Sequence, residues 1–253
     1  MKLTILGSGT CVPYTKRGSS GYALEIPGVK ILLDCGSGTT CKLARAGINY
    51  LHIDHIFLSH LHPDHTGDLV PFLFATKYAY GSPYGSKREK PLTLRGGEGF
   101  IRFFEALKNA YKDWILPEYL SVEEIGEGAA NLKGFIITAA RTPHIESSIA
   151  LRIEAEGKSL VYSGDTDHSE ALIELSRNAD ALIIECALPD EASKRSGHLT
   201  PDEVIEIANR SGARKIIVTH LYPACDEMNV VGRIREHVSA GVIEAHDLLE
   251  LEI

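Results

Sequence analysis

Apolar residues recur along this chain in short blocks separated by glycine, proline and charged turns, and between the blocks the spacing lengthens to that of helices. Leu3–Leu6, Tyr22–Ile26 and Ile31–Asp34 predict the first strands. Ser37–Ala46 predicts a helix closed by Gly47, and His55–Leu58 a buried strand that ends in a histidine-rich loop. Asp68–Tyr80 predicts a helix followed by the loop Gly81–Ser86. In the next helix, Gly99–Tyr111, the side chains of Phe100, Phe103, Phe104 and Leu107 fall at helical spacing, which predicts core packing. The second half repeats the rhythm with strands Phe135–Ala139, Ile149–Glu154 and Ser159–Ser163 and then a helix. Strand Ala181–Glu185, helix Pro201–Asn209, strand Lys215–Thr219, a last helix and strand Leu248–Ile253 complete it. No linker, low-complexity tract or short repeat interrupts the pattern, so residues 1–253 read as one α/β domain of two β-rich halves with helices outside.

Composition narrows this picture only slightly. Hydrophobic residues at 44% and charged residues at 24% exclude a disordered or fibrous chain. The longest apolar run, Ala181–Ile184 continuing past Glu185 to Leu188, is far shorter than the roughly 20 residues of a membrane span. The opening MKLTILGSGT breaks at glycines and lacks the apolar stretch of a signal peptide. Five cysteines, an odd number with no CxxC pair, point to reduced thiols in a cytoplasmic protein. The formal charge of −8 disfavours a protein wrapped around nucleic acid. One stretch runs against that balance: Lys77–Lys112 holds eight basic and three acidic residues, and is read as a solvated face. Gly7-Ser-Gly9 follows a strand as a dinucleotide-binding loop does, but Val12 stands where the third glycine belongs and no helix follows, so the loop reads as a tight turn.

The strongest signal is Ser59-His60-Leu61-His62-Pro63-Asp64-His65-Thr66-Gly67. Three imidazoles and a carboxylate fall within six residues, directly after a strand. In an extended segment His60, His62 and Asp64 point to one side, and His65 can serve a second ion once the chain turns into the helix. Such donors suit zinc. Two sites need further ligands, and strand ends supply candidates: His144 in TPH, Asp165 in SGDT and His220 in THL.

Taken with the opening LGSGT and the LLDCGSGT turn at Leu32–Thr39, these motifs resemble the metallo-β-lactamase superfamily over nearly the whole chain. The resemblance implies a four-layer αββα sandwich with two metal ions at the edge where the sheets meet. It implies that His60, His62 and His144 hold the first ion, that Asp64, His65 and His220 hold the second, and that Asp165 bridges them. The ions it implies are zinc, with manganese or iron as the other options. True zinc β-lactamases carry a cysteine at the position of Asp165, which argues against antibiotic hydrolysis. A bridging carboxylate is shared by the phosphodiesterase, ribonuclease Z, lactonase and hydroxyacylglutathione hydrolase branches. The chain's opening looks like the ribonuclease Z branch, and Gly197-His198-Leu199-Thr200-Pro201 resembles its HST motif, which implies that His198 reaches the cleft.

One departure bears on substrate. Short ribonuclease Z enzymes carry a long tRNA-gripping arm between the positions of His144 and Asp165, whereas here two strands and a turn at Glu156-Gly157 fill that interval. A small phosphodiester is therefore the expected substrate and RNA the disfavoured one, with no membrane partner; a homodimer is left open. Two ions about 3.5–4 Å apart can share a hydroxide and neutralise phosphodiester charge. Asp64 would be both ligand and proton acceptor, and His198 would stabilise or protonate the leaving group. The alternatives are a ribonuclease Z-type tRNA 3′ endonuclease, a lactone or thioester hydrolase, and, last, a non-catalytic metal-binding protein. Of the other histidines, His52, His55, His237 and His246 read as surface or core residues, while His168, just behind Asp165, is a candidate to line the cleft.

Overall fold

The apolar blocks pair into two seven-stranded sheets in a computed structural model that describes residues 1–253. The first sheet contains β1 (Lys2–Gly7), β2 (Gly21–Ile26), β3 (Val29–Leu33), β4 (His55–Leu58), β5 (Leu92–Gly96) and β6 (Leu120–Glu124). The second contains β7 (Gly128–Leu132), β8 (Phe135–Arg141), β9 (Ile149–Ala155), β10 (Lys158–Tyr162), β11 (Ala181–Glu185), β12 (Lys215–Thr219) and β13 (Gly241–Glu244). The last strand, β14 (Glu250–Glu252), crosses back to pair with β1, so the order of the first sheet is β14-β1-β2-β3-β4-β5-β6. Each sheet runs in order along the chain, antiparallel at its start and parallel at its end.

The parallel steps need crossover connections, and helices supply them. These are α1 (Thr39–Arg45), the single turn α2 (Pro63–Thr66), α3 (Leu69–Lys77) and α4 (Phe100–Tyr111) on the first sheet. On the second they are α5 (Glu170–Leu175), α6 (Pro201–Ser211), α7 (Pro223–Glu227) and α8 (Val230–His237).

Side-chain alternation along the strands divides the apolar residues into three layers. Leu3, Ile5, Leu24 and Phe57 of one sheet meet Ile137, Leu151, Ile153 and Ile183 of the other. Leu32, Ile56 and Leu94 face the opposite way, onto Leu43, Phe72 and Phe104 of the helices. Leu182, Ile184, Ile216 and Val218 pack likewise on Leu172, Val204 and Ile234. The apolar run of β11 is thus buried on both faces, as a central parallel strand requires. The architecture is the αββα sandwich.

Four strands lie outside the apolar blocks: β5, β6, β7 and β13. β5 and β6 alternate apolar with charged or small residues, and β7 is exposed almost throughout. Each is read by its partners rather than by its own hydrophobicity. The predicted helix Asp68–Tyr80 stops at Lys77. Gly7 and Gly9 are also not the tight turn expected. Both are close-approach positions, since a Cβ on Gly7 would lie 1.8 Å from the Ser19 carbonyl oxygen and one on Gly9 2.8 Å from Arg17 Cβ.

Candidate metal centre

The C-terminal ends of β4, β10, β11 and β12 meet along one edge of the sandwich, and there the ligand-type residues gather. His60 and His62 follow β4 in extended chain. Asp64 is not part of that extended run. Pro63 opens α2, with His62 as its N-cap, and the helical turn carries Asp64 and His65 toward a second position. Two groups result, each with its donor atoms within 4.8 Å of one another: His60, His62, His144 and Asp165, and Asp64, His65 and His220. Asp165, His198 and His220 form a third, overlapping set.

Asp165 stands between the first two groups. Its Oδ1 lies 3.3 Å from His65 Nε2, and its Oδ2 lies 3.4 Å from His220 Nε2 and 3.7 Å from His60 Nε2. Asp64 Oδ2 is 3.4 Å from His220 Nε2. His220 itself sits at φ 54, a left-handed conformation that costs a side-chain-bearing residue free energy and here aims its ring into the cleft.

Hydrogen bonds on the far side of each ring fix which nitrogen faces inward. His65 Nδ1 donates to Asp34 Oδ2 (2.7 Å) and His144 Nδ1 to the Gly197 carbonyl (2.8 Å). Ser59 Oγ gives its proton to Asp34 Oδ2 at 2.8 Å, so it accepts from His60 Nδ1 at 3.1 Å. With their N–H groups turned outward, His60 and His144 present bare Nε2 lone pairs to His62 Nδ1 at 3.1 and 3.0 Å. Only His62 could donate, and to one neighbour at a time. His65 Nε2 and His220 Nε2 likewise face each other at 3.3 Å, and Asp165 Oδ1 is buried with no hydrogen-bond donor. A converging set of lone pairs and carboxylates calls for cations, and nitrogen with oxygen donors is the set that zinc-type ions take.

Electrostatics agree. Burial drives the His60 pKa far down, helped by neighbouring His65, so its imidazole is neutral. Asp165 is fully buried, which opposes ionisation, yet His220 and His65 hold it well below the usual carboxylate range. Burial also pulls on His65, but Asp165 and Asp34 outweigh it and raise its pKa, a demand for positive charge that a metal ion meets equally well.

His198 reaches the same cleft. Its ring stacks on His220 at 5.8 Å and 15°, and lies 4.9 Å from His144. Nδ1 is tied to Glu185 Oε1 at 2.9 Å; burial lowers the ring's pKa, and Glu185 more than restores it. Gly197, at φ 91, leaves room beside His144, whose Nδ1 a Cβ there would approach to 2.7 Å. Lys194 pins the loop by bonding Asp167, Glu203 and the His198 carbonyl, each at 2.7 Å.

Two residues of this network carry no ligand signature in sequence. Asp34 accepts from Ser59 N, Ser59 Oγ, His65 and Tyr162. Glu185 accepts from Thr166 N, Ala187 N, Leu199 N and His198. Their signal is a lone acid at the end of an apolar strand, as in ILLD and ALIIE. His168 does not line the cleft: its Nε2 lies 3.3 Å from Glu206 on α6. In the basic stretch, Arg88 is buried and donates to the Ile53 and Tyr50 carbonyls, and Arg95 pairs with Glu123, so the solvated face carries less free charge than its residue count.

A model of the family described as anti-Pycsar protein Apyc1 matches residues 1–248. The chain belongs to that family. It is 31% identical to the probable metallo-hydrolase YhfI of Bacillus subtilis over 226 positions, covering 87% of each chain. The crystal structure of YhfI, a metallo-β-lactamase fold protein, superposes with a TM-score of 0.84 at 27% identity, covering 100% of this chain and 99% of that one. The ribonuclease Z of Methanosarcina mazei is 28% identical over 310 positions, covering all of this chain and 98% of the relative. Since this chain has 253 residues, at least 57 of those 310 positions have no counterpart in it. The family member described here is a metal-dependent hydrolase of the metallo-β-lactamase fold in the ribonuclease Z-like branch. No helix in it is long and apolar enough to cross a membrane.

Proposed function

We propose that the chain is a dinuclear phosphodiesterase for small phosphodiesters rather than for tRNA precursors. The observation that carries this reading is the interval between His144 and Asp165. It holds a short turn over residues 145–148, β9, the two-residue turn Glu156-Gly157 and β10, the last three a plain hairpin inside the second sheet, which leaves no room for a long arm. The positions absent relative to the Methanosarcina enzyme point the same way. Nucleic-acid affinity rests on many phosphate contacts, and the free cations of Lys77–Lys112 offer few.

In this reading His60, His62 and His144 would hold one divalent ion and Asp64, His65 and His220 the other, with Asp165 placed to serve both. Zinc suits the donor set, with manganese or iron as alternatives. When bound, two such ions supply a nucleophile from water at neutral pH and neutralise charge on the phosphodiester oxygens. Asp64 accepts the proton of the attacking water. His198, held through Nδ1 by Glu185, presents Nε2 to protonate the departing alkoxide. The buried apolar floor and the fixed ring orientations keep these groups in place before substrate arrives.

The test is a panel on metal-replete protein at physiological salt: bis(p-nitrophenyl) phosphate, cyclic nucleotides, a tRNA precursor, lactones and thioesters. Elemental analysis should give close to two ions per chain, and a small phosphodiester should be the best substrate. At most one ion after full loading defeats the dinuclear claim. Efficient, site-specific removal of a tRNA 3′ trailer would instead support the ribonuclease Z-type reading.

A further inference from the structure

The candidate metal centre occupies one end of the first sheet, and the opposite end holds a second concentration of charge. β4, β5 and β6 run parallel, so the segments that enter them lie away from the edge where His60 and His62 follow β4. There a cavity of about 400 Å³ opens between the last turn of α3 and the segment Leu116-Pro117-Glu118 that leads into β6. Its walls carry three cations, Lys77, Lys87 and Arg88, against one carboxylate, that of Glu118, which leaves a net charge of +2.

Arg88 is the unusual member of this set. It is only 3% exposed, and its charge has no carboxylate partner. Its terminal nitrogens donate to the Ile53 and Tyr50 carbonyls, while Nε is buried with no acceptor. Burial pushes its pKa down to about 10, and Asp54 offsets only part of that. A buried charge without a counter-charge costs free energy, as does a buried hydroxyl without a partner. Thr76, on the same wall and almost fully buried, adds such a hydroxyl. Lys77 is held in place above them: its Nζ donates to the Asp113 carbonyl and lies 5.7 Å from the centre of the Tyr78 ring. Lys87 and Glu118 are exposed and make no ion pair.

We infer that this cavity binds a phosphate group, free or carried on a small hydroxylated molecule, with Lys77 and Lys87 as the contacting cations over a floor of Arg88 and Thr76. A phosphate group carries close to two negative charges at neutral pH and several acceptor oxygens, which match the net charge and the unused donors together. A carboxylate ligand would meet half of that charge, and an uncharged one none of it. The volume falls within the range of small-molecule pockets. The site shares no residue with the metal centre and stands whether or not the phosphodiesterase reading does.

The only tryptophan of the chain, Trp114, is a local reporter, since it lies in the turn Lys112–Ile115 whose Asp113 carbonyl takes the Lys77 ammonium. Inorganic phosphate titrated into zinc-loaded protein should give a saturable change in its fluorescence that chloride at equal ionic strength does not give. Arg88→Met would also free two main-chain carbonyls, so the lysines are changed instead: Lys77→Met combined with Lys87→Met should weaken phosphate about tenfold or more. Glu118→Gln, which removes the one opposing charge, should tighten it about threefold. Ribose 5-phosphate is titrated in parallel. Tighter binding than inorganic phosphate makes a phosphomonoester the ligand, equal binding makes it the free ion, and either supports the site. No saturable change, the same change with chloride, or an undiminished affinity in the double lysine variant overturns it.

Discussion

The two halves of the molecule supply the candidate centre in different ways. The first half gives four donors from one short stretch, His60 to His65, shaped by an extended segment and a proline-initiated turn. The second gives Asp165, His198 and His220 from the loops after β10, β11 and β12, which lie side by side in parallel register, and His144 from the loop after β8, which reaches them across β9. Each half has one buried carboxylate beneath it. Asp34 holds the first through Ser59 and His65, and Glu185 holds the second through Thr166, Leu199 and His198. A local motif survives small shifts of the scaffold, whereas an assembled one depends on sheet register. Tyr162 of β10 donates to Asp34 at 2.5 Å and Tyr22 of β2 bonds Thr219 of β12 at 2.8 Å, so the halves are tied directly beneath the site.

The largest effect is expected where the halves meet. Asp165→Ala removes the one side chain that reaches both groups, and should cost about 10²–10³-fold in kcat, more than alanine at any single histidine of the cluster. Kinetics together with metal analysis check this. Near-normal turnover with two ions bound would show that Asp165 does not bridge.

Matched changes in the two buried carboxylates sharpen the contrast. Asp34→Asn should weaken metal binding about 10–100-fold, since it removes the negative charge behind His65 and turns one of two accepting oxygens into an NH2 that faces donors. Glu185→Gln should leave metal content intact and lower kcat about 10–100-fold, because only His198 among its partners is proposed for proton transfer. Calorimetric metal titration and steady-state rates on the same preparations separate the outcomes. If both variants lose metal alike, the halves are not differently built.

This asymmetry also governs what the sequence makes legible. The HxHxDH stretch announces itself because its donors are neighbours in the chain. His144, Asp165 and His220 are visible only as polar residues just past apolar strands, and become a set through the fold. Asp34 and Glu185 escape notice as ligand supports because their partners are mostly main-chain N–H groups and residues remote in sequence. The strands follow the same logic. β11 is legible from its own apolar run, whereas β7, exposed and alanine-rich, exists because β8 pairs with it residue by residue. Even the motif misleads at its end, since Asp64 belongs to the helical turn and not to the extended segment that period-two spacing suggests.

The smallest expected effect probes how tightly the second half's loops are pinned. Lys194 joins Asp167, two residues after Asp165, to Glu203 and to the carbonyl of His198, and its side chain is 30% exposed. Ion pairs that water reaches contribute about 0–1 kcal/mol, so Lys194→Met should lower kcat no more than about fivefold and leave metal stoichiometry alone. Glu185 remains as the inner anchor of His198, which is why the loss stays modest. Combining Lys194→Met with Glu185→Gln should cost more than the two separate losses predict, because each then removes the other's backup. Strict additivity in that double-mutant cycle, measured by kcat at saturating substrate, would mean that Lys194 acts on the loop without acting on His198.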